Sequence, residues 1–82
     1  MKGIRLLHGT VFVTDGLFTV RVLSDGTVES SPISYFVLER DLSTEPPDRW
    51  EYITEAEILS LPASNEIRAL FDKLNKLTGR KK

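Results

Sequence analysis

From Gly9 to Leu23 apolar and polar residues alternate on either side of an Asp15-Gly16 pair, and this period of two commits the first third of the chain to β structure. Asp-Gly is the favoured pair for a two-residue type I′ hairpin turn, in which both positions need positive φ. Closing the hairpin there sets Val13 opposite Phe18, Val11 opposite Val20 and Gly9 opposite Val22. Phe12 then faces Thr19, and Thr10 faces Arg21, on the other side. The valine row is the expected core face, and Phe12, Leu17 and Leu23 project away from it.

The next turn, Ser24-Asp25-Gly26, admits two registers. A two-residue loop would put Glu29 in the core row opposite Val22. A three-residue loop with Gly26 in the left-handed region sets Val22 opposite Val28 and Arg21 opposite Glu29, and this is the register predicted. Pro32 cannot donate to a ladder, so the third strand ends or bends there. Ile33–Leu38 carries apolar groups on both faces and reads as an enclosed strand, and Glu39–Arg49, broken by Pro46-Pro47, reads as a charged surface loop. Trp50–Ile53 returns as a short strand, expected to lie antiparallel to the strand before the loop.

Two helices complete the pattern. Thr54-Glu-Ala-Glu57 matches a capping box, with Ile53 and Ile58 placed as a hydrophobic staple, and Pro62 stops the helix near Leu61. Ser64 is the expected cap of a second helix running to about Thr78, with Gly79 as its C′ residue. Ile67, Leu70, Phe71, Leu74 and Leu77 make its apolar stripe. The predicted fold class is therefore α+β: an antiparallel meander of four to five short strands (residues 3–53), a short capped helix (55–61) and an amphipathic C-terminal helix (65–78) packed on the sheet. An open sheet is preferred over an SH3-like partial barrel, because the helical stripe needs the apolar surface of Val11, Val13, Phe18, Val20 and Val22.

The chain has 82 residues and no cysteine, which points to one domain (1–82) with residues 80–82 as a frayed basic tail. Disulfides and thiolate metal sites are excluded, and His8, the only histidine, does not assemble a zinc set. No stretch resembles a signal h-region or a membrane span, so the expected location is cytoplasmic. The net charge of −1 is unevenly spread: residues 39–57 carry seven acids against two arginines, and residues 58–82 carry six bases against two acids.

No nucleophile motif accompanies His8, and the glycines stand at turn and cap spacings outside any phosphate-binding pattern, so neither an enzyme nor a cofactor is expected. Trp50 follows an acidic, proline-stiffened loop and belongs to the residue types that anchor interfaces. The expected function is a non-enzymatic binding module, a small accessory or regulatory protein acting by protein contact, with another protein or a second copy as partner. The expected contact residues are Trp50, Phe12, Glu45 and Asp48. The alternative is nucleic-acid binding through Arg21, Phe12 and the basic tail, against which the acidic middle of the chain counts.

Overall fold

A computed structural model describes residues 1–77, apart from the side chain of residue 47. The proposed Gly79 cap and the basic tail lie outside the described residues. Five strands, β1 (Lys2–Leu6), β2 (Val11–Thr14), β3 (Thr19–Val22), β4 (Val28–Ser30) and β5 (Trp50–Ile53), form one antiparallel sheet in the order β4-β3-β2-β1-β5. The helices are α1 (Tyr35–Leu42), α2 (Glu55–Leu59) and α3 (Ser64–Leu77), with a 3-10 turn at Pro47–Arg49. The fold is α+β with an open sheet and the C-terminal helix packed on it.

The first hairpin closes in a different register from the one predicted. Thr14 pairs with Thr19, Val13 with Val20 and Val11 with Val22, leaving a four-residue loop. Asp15 does not adopt the positive φ that a type I′ turn demands. Its carboxylate instead accepts from the Leu17 and Phe18 amides at 3.0 and 2.9 Å, while the Thr14 hydroxyl donates to the Phe18 carbonyl at 2.7 Å. A shift of two residues keeps each side chain on its face, so the valine row still forms the core. The three-residue second loop is as predicted, with Val22 opposite Val28 and Arg21 opposite Glu29.

The segment expected to be a fourth strand and a long loop is largely helical. Ser34, in extended backbone, accepts from the Val37 amide with its side chain at 3.2 Å and so caps α1. Tyr35, Leu38 and Leu42 then fall at helical spacing on one side. A strand would point Ile33, Tyr35 and Val37 to one face and Phe36 and Leu38 to the other, whereas in the helix Phe36 is exposed. The chain crosses the sheet through α1, and β5 pairs with β1 rather than with its predecessor in sequence.

Both faces of the sheet are thereby covered. On one face, Val11, Val13, Val20 and Val22 meet Ile53, Ile58, Ala63, Ile67 and Phe71 from the β5 end, α2 and α3. The capping box of α2 is present: the Thr54 hydroxyl accepts from the Glu57 amide at 3.2 Å, and the Glu57 carboxylate from the Thr54 amide at 2.9 Å. Helix α3 starts one residue earlier than a Ser64 cap would place it, because the Ala63 carbonyl already accepts from Ile67. Leu77 leaves the predicted stripe for solvent. Asn75 takes the buried position one turn after Phe71, donating to Asp15 at 3.2 Å and to the Phe71 carbonyl at 2.8 Å. On the opposite face, Ile4 and Phe12 pack under Tyr35 and Leu38, with Leu6, Leu42 and Trp50 at the margin. Gly3 lets β1 pass between its neighbours, since a Cβ there would stand 2.9 Å from the Phe12 carbonyl and 3.1 Å from the Ile53 side chain.

Candidate interaction surface

The β1–β2 connection turns at Leu7-His8-Gly9, where the Gly9 amide donates to the Leu6 carbonyl and the Leu6 amide to the Thr10 carbonyl. Leu7, at the tip, is 75 % exposed, while its own amide donates to the Arg49 carbonyl at 2.9 Å. This bond holds the chain before β5 beside the turn, and two clefts open on either side of the leucine. One, of about 340 Å³, is lined by Arg5, Leu6, Leu7, Asp48, Trp50 and Glu51. The other, of about 330 Å³, shares Leu6 and Leu7 and is completed by His8, Leu42, Asp41, Glu45 and Arg49.

Three of the four contact residues expected from sequence, Trp50, Asp48 and Glu45, line this pair of clefts. Phe12 does not. It is only 6 % exposed and lies beneath α1, so its placement on an open sheet face is corrected: the chain itself covers it. Trp50 is half-buried, packed against the α1 layer and edge-on to Tyr52 with ring centroids 5.0 Å apart. Its indole Nε1 is buried without a hydrogen-bond partner among the described residues, as is the Tyr35 hydroxyl. Such groups cost about 1–3 kcal/mol each relative to a satisfied arrangement.

The charged rim is partly neutralised. Arg5 bridges Glu51 at 2.8 Å and Glu57 at 3.6 Å, and Asp41 lies 3.8 Å from Arg40. Glu45, Asp48 and Arg49 take part in no ion pair among the described residues. Beside the clefts, Tyr52 donates its hydroxyl to Glu39 of α1 at 2.8 Å, and this bond raises the pKa of the phenol. Burial, then the charge of Glu39 and the neighbouring Tyr52, pushes the Tyr35 hydroxyl up to about 12, so it stays a neutral member of the layer.

No protein family, curated protein or solved structure matches this chain. The surface is therefore judged on its own chemistry. Among the described residues no His, Cys, Asp and Glu set is placed to hold a metal, and no helix is long and apolar enough to cross a membrane. His8 is exposed and its Nδ1 lies 3.2 Å from the Thr10 hydroxyl. Arg21 is held by Glu29 on the neighbouring strand. What remains is an apolar floor of leucines and an indole with a mixed, mostly acidic rim, suited to holding an apolar side chain among polar contacts.

Leu6, Leu7 and Leu42 escaped the sequence reading. Leu6 and Leu7 read from sequence only as a brief apolar patch before His8, and Leu42 falls within the expected surface loop. The available signal was the helical spacing of Tyr35, Leu38 and Leu42.

Proposed function

We propose that the chain is a non-enzymatic binding module, a small accessory or regulatory protein that works by protein contact through the Leu7–Trp50 surface. The observation that carries this reading is Leu7 itself, a large apolar side chain left exposed between two clefts that share it, with Trp50 in the wall of one and Glu45 in the rim of the other. The nucleic-acid alternative loses support, because Phe12 is not available for base stacking and Arg21 is already paired.

The test is affinity capture of the tagged chain from lysate of its source cells, with and without nuclease, beside Leu7→Ser and Glu45→Lys. These variants are chosen because exposed positions change stability by only about 0.5 kcal/mol or less. A stoichiometric protein that survives nuclease and is lost with both variants, while their circular dichroism matches the parent, is the expected result. Capture that is abolished by nuclease, or that is indifferent to both substitutions, would overturn the reading.

A further inference from the structure

Strand β5 ends the sheet, and its hydrogen-bonding parity follows from a single bond. The Leu7 amide donates to the Arg49 carbonyl, and the β1–β5 register continues that pairing through Arg5 with Glu51 and Gly3 with Ile53. In an antiparallel ladder hydrogen-bonded pairs alternate with non-bonded ones, so Glu51 and Ile53 turn their main-chain groups towards β1. Trp50 and Tyr52 turn theirs outward, and these find no partner among the described residues. On the α1 side of this edge stand two exposed aromatic rings. Tyr52 is 58 % exposed; Phe36, one helical turn before the Glu39 that binds the Tyr52 hydroxyl, is 74 % exposed.

We propose that the chain forms a two-fold homodimer by pairing β5 with the β5 of a second copy, joining two five-stranded sheets edge to edge. This goes beyond the contact reading and does not rest on the Leu7 side chain, although Arg5, Trp50 and Glu51 also line the first cleft. A second copy is the occupant that fits because the outward set is self-complementary. In an antiparallel pair centred on Glu51, Trp50 of each copy stands opposite the second copy's Tyr52, and every outward N–H meets an outward carbonyl. The same symmetry brings the exposed Tyr52 and Phe36 of both copies to one side of the joint and removes them from water. It also sets Glu51 against its own copy, a like-charge contact that would oppose pairing. Arg5, 2.8 Å from Glu51 in each chain, supplies a cation on either side of that contact. The other edge is less suited: β4 has three residues and is followed by Pro32.

Sedimentation equilibrium and residue-resolved amide exchange of the full chain test the proposal. The expected mass is twice 9.3 kDa. The Trp50 and Tyr52 amides should be protected at high concentration and exchange freely on dilution, with Glu51 and Ile53 protected throughout. Tyr52→Pro deletes an outward N–H and, with the ring, the bond to Glu39 and the edge contact with Trp50, but no N–H bonded to β1, so it should abolish the heavier species while leaving the Glu51 and Ile53 protection intact. Leu7→Ser should dimerise like the parent, which separates this outcome from failure of the contact reading. A parent chain that stays monomeric at millimolar concentration, or a dimer in which the Trp50 and Tyr52 amides gain no protection, overturns the proposal. If Tyr52→Pro fails to fold, the exchange pattern of the parent decides alone.

Discussion

Asp15 governs the first hairpin through its side chain rather than through the turn type its sequence neighbour suggests. Burial alone would raise the pKa of its carboxyl, but bonds from the Phe18 and Leu17 amides and from the Asn75 side chain outweigh that, and the net shift is downward. A carboxyl lowered by folding contributes stability that is fully present above its ordinary value of 3.8 and is lost as pH falls through the lower folded value. Asp15→Asn should therefore lie below the parent in denaturant titrations near neutrality, by under about 1 kcal/mol because solvent screens the exposed carboxylate, and the gap should close at pH values below 3.8. A gap that does not change with pH would show that the carboxylate charge plays no part. The same residue explains the misread register: Asp-Gly predicts a tight turn from backbone preference, whereas here the Asp15 oxygen captures two amides and Thr14 a carbonyl, which favours a wider loop.

Among the elements, α1 is the one least legible in the sequence, and the reason is local. Ile33–Leu38 contains β-branched and aromatic residues, with an apolar run from Tyr35 to Leu38, a pattern shared by buried strands and short helices. Ser34 as N-cap and the spacing of Tyr35, Leu38 and Leu42 decide for the helix, but only once a sheet face lies beneath to be covered. By contrast the start of α2 was readable to its capping hydrogen bonds, because a capping box and its staple lie within six consecutive residues, Ile53 to Ile58, although the helix ends at Leu59, short of the predicted Leu61. The α1 layer depends on Phe12, which meets Tyr35 and Leu38 directly. Phe12→Ala should cost about 3–5 kcal/mol in chemical denaturation. A loss under about 1 kcal/mol, within the range of a surface change, would mean that α1 is not anchored there.

At the scale of the whole molecule the sheet separates two cores of unequal size, four buried residues in the α1 layer and nine in the layer of α2 and α3. The smaller one also holds the buried Tyr35 hydroxyl and Trp50 Nε1, without partners among the described residues. Native-state amide exchange should therefore find α1 opening in a sub-global step, with lower protection than α3, and equal protection in the two helices would refute it. The candidate surface was half legible for a related reason. Trp50, Glu45 and Asp48 announce themselves in one short stretch, but the leucines that complete the clefts come from β1 and the end of α1. They meet that stretch only because β5 returns to β1.

That return has a bearing on how the chain assembles. Strands β1 to β4 join neighbours in sequence and can zip locally, but the outer side of β1 must wait for a segment more than forty residues further on. Closing so long a span carries a larger entropic cost than any of the preceding turns. The strand synthesised first is thus the last to be enclosed, and the interval in which its Gly3, Arg5 and Leu7 amides stand bare is when a nascent chain is open to mispairing or to a chaperone.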